Sequence, residues 1–93
     1  MFNQKKLDFS FDVFKALAHP IRIEILNFIS SKGKTNVQSI YNALDLPQSV
    51  TSQQLKILKD AKLVVSKTAS KERIYSINFS VFQLVQNVLE KKL

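Results

Sequence analysis

Cysteine is absent from this 93-residue chain, which removes disulfides, thiolate metal sites, cysteine nucleophiles and thiol redox switches together. Glycine occurs once and proline twice. So few breakers speak against a loop-rich β architecture, and no glycine-rich loop is available to cradle a phosphate. There is one histidine, and the seven acidic residues are scattered. No nucleophile–base pair stands at a motif spacing, so no enzyme is expected. No apolar run approaches the roughly 18 residues that span a bilayer. Two lysines precede Leu7 without an apolar segment after them, so no secretory signal is expected and the expected location is cytoplasmic. Neither repeat nor linker interrupts the chain, and residues 1–93 read as a single domain. At this size a partner's surface is an expected supplement to the core.

Positive charge is in excess. Fourteen basic side chains face seven acidic ones, a net charge of +7. A surface lysine excess is the plain reading, and attraction to a polyanion the sharper one. Hydrophobic residues make up 45% of the chain, which is globular rather than disordered composition.

Helical periodicity organises most of the chain. Ser10 is placed to cap a helix through Ala18, with Phe11, Phe14, Leu17 and Ala18 on one side. His19-Pro20 ends it, and Pro20 suits the first position of a second helix. That helix runs to about Ser30 on a stripe of Ile21, Ile25, Phe28 and Ile29, widened by Ile23 and Leu26, and so belongs at the centre of the core. Gly33 can take the left-handed conformation that stops it. A third helix starts near Asn36, with Val37, Ile40, Tyr41 and Leu44 at i, i+3, i+4 and i+7. Asp45-Leu46-Pro47 breaks the chain before a fourth helix from about Gln48 to Ala61. Two short helices at so tight a turn make a helix-turn-helix pattern. Residues 63–67 and 73–77 then read as strands, with the polar residues 68–72 as their connection. A hairpin in that position is a wing. The last helix is capped by Asn78 or Ser80 and reaches nearly to Leu93. It carries two apolar stripes: Phe79, Phe82, Val85 and Leu89, and beside them Val81, Leu84 and Val88. One docks the helix on its own domain, and the second suits another subunit.

The fourth helix has the face that would read DNA. With Leu55 at its centre, the packed side takes Thr51, Leu58 and Lys62. Ser49, Val50, Gln53, Lys56 and Ile57 fall on the opposite half, with Gln48 and Ser52 at the edge of the first turn. Gln can pair bidentately with adenine, Ser can bond any base edge, and Val50 can meet a thymine methyl. From Lys56 to Arg73 there are six basic side chains against Asp60 and Glu72, a surplus of four. Lysine predominates, so phosphate contacts as point charges are expected, with Lys67, Lys71 and Arg73 on the wing. Lys71 lies nearest the wing tip. Arg73 has Glu72 beside it as an alternative partner.

Phe14-Lys-Ala-Leu-Ala-His-Pro-Ile-Arg-Ile-Glu-Ile-Leu26 resembles the opening signature of the ArsR/SmtB family of bacterial winged-helix repressors. Leu46-Pro-Gln-Ser-Val-Thr-Ser-Gln-Gln-Leu-Lys-Ile-Leu-Lys-Asp-Ala-Lys-Leu-Val64 resembles that family's recognition helix and the start of its wing, and Lys71-Glu-Arg-Ile-Tyr-Ser-Ile77 the wing's return strand. The similarity runs from about Ser10 to Phe82. It implies a mainly α (α+β) winged helix-turn-helix of about five helices with a two-stranded β-hairpin wing. It also implies a homodimer through the first and last helices on an imperfect inverted repeat in a promoter, and a repressor's function. The family's DNA-contacting positions fall on Gln48, Ser49, Ser52 and Gln53. Its dimer interface would take Phe9 just ahead of the first helix, Phe11 and Phe14 from that helix, and Val81, Phe82, Leu84, Val85, Val88 and Leu89 from the last.

The departures from that family are specific. Many members sense metals through cysteines near the recognition segment, or through carboxylates and histidines on the last helix. Here there is no cysteine, and the last helix offers only Glu90, too few donors for a four-coordinate site. His19 matches a histidine at a helix junction and is expected to cap. No metal, cofactor or small-molecule ligand is therefore expected. Lys62 stands where the family usually has a glycine before the first wing strand, and the wing turn near Ser70 lacks another. Since left-handed backbone costs a non-glycine residue roughly 1–2 kcal/mol, the wing turn is expected to take a different geometry. The other readings are a winged helix that binds a protein partner, disfavoured by the lysines, and a MarR-like regulator, normally a longer chain.

Overall fold

The computed structural model describes the backbone of residues 15–91, and the side chains of that span except at 85, 86 and 88–91. Residues 15–17 are helical and form α1. There follow α2 (Pro20–Lys32), β1 (Lys34–Asn36), α3 (Val37–Leu44), α4 (Gln48–Asp60), β2 (Val64–Ala69), β3 (Glu72–Ile77) and α5 (Phe79–Lys91). The strands form one antiparallel sheet in the order β1-β3-β2. No helix among the described residues is long and apolar enough to cross a membrane.

Local chemistry accounts for the helix ends. His19 precedes α2 in extended backbone, and its Nδ1 accepts the Ile21 N–H at 3.3 Å, the capping role expected of it. Pro20 occupies the first helical position, where its missing N–H costs nothing. Gly33 closes the helix at φ 78, its N–H donating to the Ile29 carbonyl at 2.9 Å. Asn36 caps α3 by accepting the Ser39 N–H at 2.8 Å. Asp45 ends that helix in left-handed backbone, which Asp adopts more easily than most residues. Helix α3 is thus capped at both ends.

The core lies where the apolar stripes converge. Ile25 and Ile29 of α2 are fully buried against Ile40 of α3, Leu55 and Leu58 of α4, and Leu63 and Val64 at the start of the wing. Thr51 is buried among them, and its hydroxyl donates to the Pro47 carbonyl at 3.1 Å. That bond meets the requirement that a buried polar group be satisfied.

Several expectations need correction. The sheet has three strands rather than two: Lys34, Thr35 and Asn36 pair with Ser76, Tyr75 and Ile74 along the edge of the hairpin. On α1 it is Ala16, not Ala18, that is buried. Helix α4 stops at Asp60, so Lys62 lies in the turn beyond it, exposed and at φ 67 rather than on the packed side. Ile57 packs against the core instead of facing outward. The wing turn has not taken a different geometry. Ser70 and Lys71 alone connect the strands, both left-handed at φ 50 and 71, the two-residue I′ arrangement that usually calls for Asn-Gly.

Candidate nucleic-acid interface

Helix α4 turns Thr51, Leu55 and Leu58 into the core, which leaves its other side to solvent. Gln48, Ser49, Ser52, Gln53 and Lys56 are exposed, and Val50 is half-buried. Pro47 offers no side-chain cap to this helix. The first-turn N–H groups therefore stand free of side-chain competition on the same surface as the polar side chains, the arrangement suited to a phosphate. Lys56 shares its charge with Asp60 through an exposed i,i+4 pair at 3.2 Å. Pairs this exposed contribute little and open readily.

The wing stands beside this face. Lys67, Lys71 and Arg73 are all exposed. Arg73 does not pair with Glu72; its guanidinium donates to the Ser66 hydroxyl across the hairpin at 3.1 Å. Glu72 is held elsewhere. Asn36, while capping α3 through Oδ1, donates from Nδ2 to Glu72 Oε1 at 2.7 Å. One amide thus ties the tip end of the wing, next to its turn, to the first helix of the helix-turn-helix.

A cleft of about 250 Å³ opens between these elements, lined by Gln38 and Tyr41 of α3, Gln48 of α4, and Glu72 and Arg73 of β3. The fold therefore gathers Gln48 and Arg73, predicted separately, at one place. Lys56 and Lys71 do not line it. Gln38 and Tyr41 are not legible as site residues in the sequence: Tyr41 falls on the apolar stripe of α3, and the exposed Gln38 carries no signal beyond its position near that helix's start.

The expected partner surface is only partly confirmed as accessible. Val81 is buried in the chain's own core and Phe82 packs half-buried against it, so Val81 leaves the set. Its position one residue from Phe82 let two stripes share the docking. Leu84 is exposed, and Phe79, on the other apolar stripe, is the most exposed large apolar side chain among the described residues at 70%. Phe9, Phe11 and Phe14, with the side chains of Val85, Val88 and Leu89, lie outside the described residues. The Asn78 side chain, expected as a cap, instead donates to the Lys62 carbonyl at 2.9 Å and fixes the start of α5 on the turn before the wing.

Among the described residues no three His, Cys, Asp or Glu side chains gather where they could hold a metal ion, and His19 Nδ1 is occupied in capping α2.

Residues 19–66 match the bacterial regulatory proteins of the arsR family. The chain is 38% identical over 65 residues to the arsenical resistance operon repressor of Bacillus subtilis strain 168, covering 70% of this chain and 62% of that protein. It is 35% identical over 71 residues to the transcriptional repressor SmtB of Mycobacterium tuberculosis, covering 76% and 52% respectively. The chain thus spans little more than half the length of these two relatives. Its fold superposes with a TM-score of 0.76 on a homodimeric winged helix-turn-helix DNA-binding domain from Mycobacterium bovis, a possible ArsR-family regulator. That match has 28% identity and covers 98% of this chain and 90% of the other.

Proposed function

The chain belongs to the arsR family of bacterial regulatory proteins, a winged-helix transcriptional regulator and not a MarR-like one, and on that basis we propose that it is a dimeric repressor binding an imperfect inverted repeat in a promoter. Residues 1–93 act as one domain, in the cytoplasm, with duplex DNA and a second copy of the chain as partners. The observation that carries the reading is α4 itself: its apolar side is buried, while Gln48, Ser49, Ser52 and Gln53 stand exposed in one polar, uncharged patch. Such a patch offers donors and acceptors to base edges without the indiscriminate pull of charge. Val50 adds an apolar contact for a thymine methyl.

Around that patch Lys56, Lys67, Lys71 and Arg73 hold phosphates. They set register and orientation but carry no sequence information. Two protomers place their α4 helices in successive major grooves about 34 Å apart. The partner surface is Leu84 and Phe79 of α5, continued by Phe82, Val85, Val88, Leu89 and the phenylalanines 9, 11 and 14. The relatives named above are repressors, not enzymes, and nothing in the site calls for catalysis.

No response to metals is expected of this repressor, because no three candidate donors assemble among the described residues. Added zinc, copper or arsenite is expected to leave operator affinity unmoved, and release of DNA by any of them would overturn that part. The primary test is titration of duplexes covering the protein's own upstream region at increasing salt. With four or five phosphate contacts per protomer, log K is expected to fall against log salt with a slope of about −7 to −9. A slope near −2, or no preference among duplexes, would contradict the proposal.

A further inference from the structure

Three helices meet at one guanidinium. Arg22, in the first turn of α2, is half-buried. Its Nε donates to Gln54 Oε1 on α4 at 2.7 Å, and its Nη1 donates to the Lys15 and Ala16 carbonyls of α1 at 3.2 and 3.5 Å. Gln54 immediately follows Gln53, which stands exposed on the reading face. Because successive side chains on a helix are separated by about 100°, a bond that fixes the azimuth of Gln54 also fixes that of Gln53. The guanidinium is planar, with its donors in a rigid fork, so the acceptors on α1 and α4 are held at a set distance and angle.

The choice of acceptors is informative. Asp60 borders the same cleft as Arg22, together with Ile57 of α4 and Ala61 just beyond that helix, yet its carboxylate is bonded by Lys56. Arg22 is given neutral acceptors instead. Two are carbonyls from the end of α1, and the third is an amide placed midway along α4. The contacts join elements far apart in the chain, since 32 residues separate Arg22 from Gln54.

We propose that Arg22 is a positioning residue that sets the orientation of the recognition helix relative to α1, and through it the distance between the two recognition helices of the dimer. The inference rests on the reading of α4 as the groove-entering helix of a dimer joined through its first and last helices. Arg22 and Gln54 touch neither base nor phosphate. Their effect is on half-site spacing.

Three variants test it: Arg22→Lys, which keeps the charge but loses the fork; Gln54→Leu, which removes the acceptor at similar volume; and Gln54→Glu, which keeps it. Each is titrated against the operator and against operators whose central spacer is one base pair longer or shorter. Arg22→Lys and Gln54→Leu are expected to bind the natural spacing about tenfold more weakly, the size of one lost charge-assisted hydrogen bond. The altered spacers should lose little, so the spacing preference flattens, while the salt slope stays within one unit of the parent's. Gln54→Glu is expected to retain the preference. Equal loss at all three spacings would show a merely structural role and overturn the proposal, as would an unchanged preference. Should Arg22→Lys fail to fold, Gln54→Leu carries the test alone. If the parent protein binds no duplex, the DNA-binding reading fails as well; if it discriminates spacing and the variants do too, only this inference fails.

Discussion

Replacing Lys71 with glycine should make the protein more stable and a weaker DNA binder at once. Lys71 sits at φ 71 in a two-residue turn whose other member, Ser70, is at φ 50. Left-handed backbone costs an L-residue about 1–2 kcal/mol, and Lys71→Gly relieves that strain. Glycine's extra freedom in the unfolded chain opposes the gain by about 0.4–1 kcal/mol. The net gain is therefore on the order of 0.5–1 kcal/mol. For a domain of this size each kcal/mol shifts the midpoint by about 4–8 °C, so a rise of roughly 2–8 °C is expected in thermal melting followed by circular dichroism. Binding moves the other way. Two wings each lose one phosphate contact, which makes the log–log salt slope shallower by about 2 and lowers affinity at ~0.1 M salt by roughly fiftyfold. Lys71→Ala separates the two causes, because it removes the charge and keeps the strain: it should bind all sequences more weakly, with no gain in melting temperature. A glycine variant that melts lower than the parent would refute the strain argument. One whose salt slope does not move would refute the phosphate contact.

Gln53→Ala should relax sequence preference, with mutated operators binding nearly as well as the intact one and the salt slope unchanged; behaviour identical to Lys71→Ala would abolish the division between reading and anchoring. Glu72→Gln keeps an acceptor for Asn36 and removes a negative charge beside Arg73, so competition titrations should show tighter binding to all duplexes, whereas Glu72→Ala also frees the wing from α3 and should bind more weakly than Glu72→Gln. Leu84→Glu should shift the molar mass measured by light scattering from dimer toward monomer, because a charge would be buried unpaired in the interface; an unchanged dimer mass would place the interface elsewhere.

What could be read from the sequence was whatever depends on neighbours within a few turns. Ile25 and Ile29 recur at helical spacing and are fully buried; Thr51, Leu55 and Leu58 share one side of α4, so the exposure of Gln48, Ser49, Ser52 and Gln53 on the other follows from helix geometry alone. His19 and Pro20 start α2 through bonds that span two residues. The misplacements came where a local rule was extended past its element. Helical spacing puts Lys62 on the packed side, but the helix ends at Asp60 and the backbone is left-handed at Lys62.

Packing alone decided the rest. The three residues of β1 have too little alternation to declare a strand, and they became one because β3 offered an unpaired edge. Ser70 and Lys71 carry no glycine signal, yet the pairing of Ala69 with Glu72 leaves two residues to reverse the chain, and only left-handed backbone closes so short a loop with the proper twist. The Arg22–Gln54 and Asn36–Glu72 bonds join residues 32 and 36 positions apart. Hydrophobic periodicity is a one-dimensional property that each segment carries with it. The meeting of two polar side chains from distant segments depends on helix crossing angles and strand register, and these exist only once the core has closed.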